Sequence, residues 1–426
     1  MRLLDAIASS LDVPPELGGT SDDGLLLKAR KQTSKPVLQF SQYPMSVDSR
    51  TFANARSDSN PSGDLRSLFA FRQLVDPVPE LSERYFPGID STEATYGQIL
   101  RGASVQDESA YTGDLIASSA KQFEERSFSN MDGSPGSWRP IYAVPDDWWD
   151  PSKVDRYQTM DLDLETPYEE SSSYLRIGEA RTAQLSTAGD VPTSTPLDPR
   201  TTLRSISLKC QVVTLRRPWF NSMLFESAGW YLSRQPEGFC SSGTVADNDG
   251  VLPLLPIGML LARDISIDAA WAGPDQAVID AAHAEQKPVF VGPLPLQSNG
   301  ASTNVQIIAW ISSLVPFSPQ ASDLRRGAVV VRNTGAFVAR FSMSWTERGK
   351  GMSNTSGSFR VLSSKTVPIP ADARDISLKV EIMTFPSPLE TWATVATREL
   401  PLPAEKFYEV SGSTLAPKFK EIPAGD

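Results

Sequence analysis

Gly335-Ala-Phe-Val-Ala-Arg-Phe-Ser-Met-Ser-Trp345 decides how this chain is read. Phe337, Ala339, Phe341, Met343 and Trp345 fall on every second position, the spacing of a strand that buries one face. Working toward the C-terminus, a turn rich in Gly, Ser and Asn is expected from Gly349 to Gly357. Strands are then expected over Phe359–Val367, Ile376–Met383, Trp392–Thr397 and Phe407–Gly412, punctuated by Pro368-Ile-Pro-Ala-Asp. Short strands at this spacing predict a compact β-sandwich over residues 331–426. From residue 335 onward, eleven Lys and Arg meet ten Asp and Glu, so the net charge of −11 resides upstream.

Working toward the N-terminus, the pattern loosens. Met160-Asp-Leu-Asp-Leu-Glu165 alternates, and further strands are expected at Leu203–Leu215, Met259–Ala269, Lys287–Val291 and Val305–Val315. The stretch Thr182–Pro199, rich in Thr, Ser and Pro, reads as a long loop. Helical spacing appears after Ser62, at Leu65, Leu68, Phe69 and Leu74, and again over Asp107–Phe128. Residues 61–330 are therefore expected to form an α+β domain with a mainly antiparallel sheet, and residues 1–60 an N-terminal arm. With 34 Pro and 27 Gly in 426 residues, the composition fits many turns and short strands rather than a helical bundle.

Several chemistries lack their residues. His283 is the only histidine and sits in Ala-Ala-His-Ala-Glu-Gln, the pattern of a short surface helix, so zinc sites of several imidazoles are excluded. Cys210 and Cys240 show no Cys-x-x-Cys spacing, and no Walker loop, dinucleotide fingerprint or nucleophile elbow is present. No cofactor and no metal is expected. The acidic balance, with no dense basic patch, argues against nucleic acid. Pro145-Asp-Asp-Trp-Trp-Asp150 gathers carboxylates but lacks the alternation of a calcium loop. Arg216-Arg-Pro-Trp-Phe220 reads either as a ligand platform or as a strand-end anchor. An enzyme would rest only on acids such as Asp161, Asp163 and Glu165, whose plainer reading is a solvated strand face, so a non-enzymatic protein is expected. The first residues lack the pattern of a secretory signal, and the most apolar run, Val251–Ala262, contains Pro253 and Pro256 and is too short to span a bilayer as a helix. A cytoplasmic location, or release by a non-classical route, follows as an expectation.

The C-terminal residues resemble the membrane-recognition domain, domain four, of the thiol-activated or cholesterol-dependent cytolysins. Gly335–Trp345, Thr366-Val-Pro-Ile-Pro-Ala-Asp-Ala-Arg-Asp-Ile-Ser-Leu-Lys379, Trp392-Ala-Thr-Val395 and Val410-Ser-Gly-Ser-Thr-Leu-Ala-Pro417 carry the resemblance in order, over about a fifth of the chain. It implies that Thr414 and Leu415 occupy the place of the family's sterol-recognising pair. Taken without the resemblance, the same residues read as an ordinary strand-ending turn. Where the toxins carry Glu-Cys-Thr-Gly-Leu-Ala-Trp-Glu-Trp-Trp-Arg, this chain has Ile382-Met-Thr-Phe-Pro-Ser-Pro-Leu-Glu-Thr-Trp392, which lacks the cysteine and the tryptophan cluster. Phe385, Leu389 and Trp392 are the residues that could form an apolar tip there, Trp392 reading equally as core. The resemblance implies a membrane-interacting protein, in its strongest form a divergent pore-forming cytolysin, with a membrane sterol or lipid as ligand and self-association or a protein as partner. The alternative from the residues is a soluble docking protein that uses the sandwich to hold a protein partner.

Overall fold

The computed structural model describes residues 3–11, 35–106, 110–165, 174–177, 184–187, 193–296, 305–323, 327–347, 350–385 and 390–423. The chain is α+β and mostly antiparallel, and it divides into two compact units. The first gathers residues 1–102, 110–227 and 240–318, the second residues 103–109, 228–239 and 319–426.

The first unit is built on a seven-stranded sheet. Its principal strands are β1 (Val37–Ser46), β2 (Tyr142–Val144), β3 (Gln158–Asp163), β4 (Thr202–Arg216), β5 (Leu254–Ala270) and β6 (Gln306–Leu314). From one edge the order is Arg84–Tyr85, β1, β6, β5, β4 and β2, with β3 also paired to β4. The first half of β5 is buried nearly throughout, whereas its last residues alternate in exposure, so one strand passes from a covered region to a half-covered one. Residues 1–60, expected as an arm, instead contribute α1 (Leu3–Ser9) and β1 to this core. Leu3, Ala6, Ile7 and Leu38 pack there with Leu162, Ile206 and Leu260. The reason is that the apolar face of α1 is too continuous to remain in water.

Helices α2 (Leu65–Val75), α3 (Thr92–Gly102), α4 (Ala110–Glu125) and α5 (Gly273–Ala284) complete the elements needed here. The cap of α2 is Asp64; its carboxylate accepts from the backbone N–H groups of Arg66 and Ser67 at 3.1 and 3.2 Å. The expected loop at Thr182–Pro199 contains two paired strands, Gln184–Thr187 and Thr193–Pro196, because Thr and Ser fit a pleated surface as readily as a turn. Arg216–Phe220 is an anchor: Trp219 is buried, its indole N–H donates to the Pro140 carbonyl at 2.7 Å, and it packs with Tyr96 and Phe123. Arg217 is buried and donates to the Val75 carbonyl at 2.8 Å; burial pulls its pKa down to about 10. In the carboxylate-rich run, Asp147 pairs with Arg156 and Asp146 accepts from Ser57 at 2.8 Å. Asp161, Asp163 and Glu165 lie on the exposed face of the strand whose other face buries Met160, Leu162 and Leu164.

The second unit contains a two-sheet sandwich. Its strands are β7 (Gly327–Asn333), β8 (Ala339–Glu347), β9 (Lys350–Thr355), β10 (Ser363–Ile369), β11 (Arg374–Phe385), β12 (Thr391–Leu400), β13 (Glu405–Ser413) and β14 (Ala416–Ile422). One sheet has the order β10-β7-β13-β14, the other β9-β8-β11-β12. Phe337, Ala339, Phe341, Met343 and Trp345 are all buried, as the alternation requires, against Val329, Val331, Leu378, Val380 and Val410. Three strands, β7, β9 and β14, depart from expectation; β14 follows the turn at Thr414 and Leu415 and pairs with β13. β7 precedes the recognisable stretch and is clamped between β10 and the parallel β13. β9 occupies most of the expected Gly349–Gly357 turn; it is exposed at every position, so no burial alternation marks it.

Candidate functional site: the loop end of the sandwich

Three described connections gather at one end of the sandwich. They are residues 334–338, 356–362 and 414–415, and the end of β11 at Phe385 and the start of β12 at Thr391 lie at the same end in the register. Backbone hydrogen bonds tie them: Thr334 and Ala336 N–H donate to the Val410 and Gly412 carbonyls at 2.9 and 3.0 Å, and Met383 N–H to Val338 at 2.8 Å. Leu362 N–H donates to the Asn333 carbonyl at 2.6 Å. The buried Asn333 side chain donates to the Phe337 carbonyl at 2.7 Å and accepts from Gly335 N–H at 3.0 Å, fixing the first loop from inside.

Thr414 and Leu415 are the two residues of the tight connection between β13 and β14, with Ser413 paired to Ala416 and Gly412 to Pro417. Gly412 has φ of +92°, and a Cβ there would stand 2.3 Å from the Ala416 carbonyl oxygen, so the hairpin needs glycine at this point. Thr414 is exposed, and Leu415 projects with 96% of its surface free. Phe385, at the end of β11, is 63% exposed. Leu362 is 80% exposed and holds a left-handed φ of 60°, with the half-exposed Val361 beside it. These last two were missed from the sequence; the signal was Val361-Leu362 directly before the Ser-Ser-Lys of β10, which reads as a strand start unless the preceding loop is known. Leu389 lies outside the described residues, as do Pro386 and Pro388.

Trp392 is set apart from the apolar points. It is half-buried on the outer face of its sheet, paired in register with Met383, with the Arg340 guanidinium 4.1 Å from its ring centroid. Arg340 Nε donates to Glu381 Oε2 at 2.9 Å, and Lys379 Nζ lies 2.8 Å from Oε1. The Lys379 hydrogen bond, and then Arg340, hold the Glu381 carboxyl below the usual carboxylate range against the opposing effect of burial. The Thr384 and Thr391 hydroxyls meet at 2.8 Å across the end of β11 and the start of β12. The end of the sandwich thus offers exposed apolar points and a threonine hydroxyl on a frame tied by backbone hydrogen bonds from Thr334, Ala336, Leu362 and Met383. Among the described residues, no group of three or more His, Cys, Asp and Glu could hold a metal ion, and no helix is long and apolar enough to cross a membrane.

Residues 328–418, most of this sandwich, match the family described as the thiol-activated cytolysin beta sandwich domain. Among solved structures, the membrane-binding domain of pneumolysin is similar at 23% identity, covering 24% of this chain and 100% of that one, with a TM-score of 0.20. Listeriolysin O is similar at 16% identity over 52% of this chain and 48% of its own, with a TM-score of 0.20. A non-hemolytic pneumolysin from Streptococcus pneumoniae strain ST306 is similar at 14% identity over 53% and 50%, with a TM-score of 0.20. The chain spans about half the length of these two longer structures. No curated protein matches it.

Proposed function

We propose that this is a non-enzymatic membrane-interacting protein, a divergent relative of the pore-forming cytolysins, whose sandwich meets a sterol- or lipid-containing surface with its loop end. The observation that carries this is the convergence of Leu415, Leu362, Val361 and Phe385, all exposed, on one end of the domain. Each apolar side chain that leaves water contributes roughly 1.5–3 kcal/mol, so one tip binds weakly and several tips, or several copies, bind firmly. Thr414 beside Leu415 supplies a hydroxyl that can donate to or accept from a sterol hydroxyl while Leu415 enters the apolar layer. Trp392 acts as a wall held by Arg340 rather than as a tip, and Leu389 is a further candidate for the same end. The partners are a membrane sterol or lipid and other copies of the chain; nucleic acid is not among them.

Flotation of the full chain with phosphatidylcholine vesicles, with and without cholesterol, tests the reading. Binding that needs cholesterol and is lost with Thr414→Gly/Leu415→Gly supports it. Absence of flotation from both vesicles overturns it and favours a docking module, which a stable stoichiometric protein complex would then reveal.

A further inference from the structure

The charges of the sandwich are unevenly placed. In the sheet β10-β7-β13-β14, Glu409 is matched by Lys420 at 3.2 Å and Glu421 by Lys406 at 2.6 Å. Four further cations lie toward the loop end of the same sheet. Arg360 belongs to the 356–362 connection, Lys365 is the third residue of β10, Arg332 the next-to-last of β7, and Lys418 the third of β14. All four are exposed, and among the described residues none of them makes an ion pair. On the other sheet, Arg340 and Lys379 are both engaged by Glu381, and Glu390 stands just before β12. The surplus of positive charge therefore belongs to one side of the loop end.

The register brings these cations together from four separate segments, which is why no dense basic run marks them in the sequence. Arg332 pairs on one side with Ser364, the residue before Lys365, and on the other with Glu409, whose next neighbour is Lys420. Lys418 lies beside Ser411, two residues nearer the tip. The N–H groups of Leu362 and Thr334, donating to the Asn333 and Val410 carbonyls, carry the same frame beyond the strand ends. Each exposed apolar point on this side then has a cation close by in the chain. Arg360 directly precedes Val361 and Leu362, Lys365 follows Leu362 by three residues, and Lys418 follows Leu415 by three.

Cations by themselves would suit any polyanion in water. Cations set among Val361, Leu362 and Leu415 suit a layer with phosphate at its surface and hydrocarbon beneath, since long basic side chains keep their heads in the polar zone while neighbouring apolar groups go deeper. The net charge of −11 does not decide this contact. At physiological ionic strength charges more than about 8 Å away are largely screened, so the groups that touch the surface dominate. We infer that the loop end selects membranes that carry anionic phospholipid, with Arg332, Arg360, Lys365 and Lys418 meeting the lipid phosphates beside the apolar tips. The inference rests on the membrane contact of the proposed function and adds a headgroup charge to it, independently of what Thr414 and Leu415 recognise.

The test is flotation of the full chain with phosphatidylcholine–cholesterol vesicles, in which part of the phosphatidylcholine is or is not replaced by phosphatidylglycerol, at low and at high salt. A basic residue at an anionic surface is worth about fivefold in partitioning, so the native chain is expected to gain about tenfold or more from phosphatidylglycerol at low salt and to lose that gain at high salt. Arg360→Gln/Lys365→Gln/Lys418→Gln is expected to abolish the gain and keep the flotation seen without phosphatidylglycerol. Arg360→Lys/Lys365→Arg/Lys418→Arg is expected to retain the gain, with circular dichroism confirming that each chain is folded. Equal flotation with and without phosphatidylglycerol overturns the inference and leaves the apolar tip standing. A gain that survives in the triple Gln chain also overturns it, because the charge would then be read elsewhere. Retention on immobilised heparin without any preference among vesicles overturns it in favour of a soluble polyanion. Flotation only with phosphatidylglycerol, whether or not cholesterol is present, supports the inference and removes the sterol from the proposed function.

Discussion

Phe341 and Leu415 are apolar side chains of the same small domain with opposite fates. Phe341 is buried in the middle of β8, edge-to-face with Phe359 at 6.2 Å, while Leu415 stands almost wholly in water at the end of a two-residue connection. The difference teaches that apolar character holds the sandwich together where the strands alternate and, under the proposed function, makes the contact where they turn back. A core residue should cost stability and a tip residue should cost only binding.

The most severe break is Phe341→Ala, expected to destabilise the sandwich by about 3–5 kcal/mol through the cavity it leaves, read by urea unfolding followed at the tryptophans. Gly412→Ala is expected to cost about 1–3 kcal/mol, because an alanine there must bear a positive φ and displace the Ala416 carbonyl; the same unfolding curve measures it. Glu381 gives a smaller, pH-dependent effect. Its folded pKa lies below the ordinary 4.5, so its contribution is present above that value and fades as pH falls through the folded one. The thermal midpoint should drop on acidification below about pH 4 more in the native chain than in Glu381→Gln, which has already lost that charge. Leu415→Ala should leave stability within about 0.5 kcal/mol of the native chain yet reduce vesicle flotation roughly tenfold or more. A Leu415→Ala chain that unfolds early would erase the distinction between core and tip.

How much of this could be read beforehand varied with how strictly burial alternates. β8 was legible because one face is fully covered and the other is not. β9 beside it was not, since both of its faces meet solvent and composition alone suggested a turn. β7 was not legible although Val329 and Val331 are buried, because its apolar alternation spans only a few residues before Asn333. At the loop end, the resemblance pointed to Thr414 and Leu415, and the stretch that departs from the family to Phe385; all three stand exposed. Val361 and Leu362 were not, because their place depends on which loop returns to which end of the sandwich. The N-terminal arm failed for a related reason: where α1 packs is set by strands far along the chain, which local polarity does not disclose.

The parallel pairing of β7 with β13 joins Ala328–Asn333 to Glu405–Val410. A ribosome must therefore deliver more than seventy further residues after β7 before that strand gains its second neighbour. Until then half of one sheet of the sandwich is missing, and Val329 and Val331 have only β10 beside them in their sheet. Assembly of this domain is consequently a late, all-together event whose speed depends on closing a long loop. Stalled or clipped synthesis ahead of β13 would yield a sticky half-product and no usable loop end.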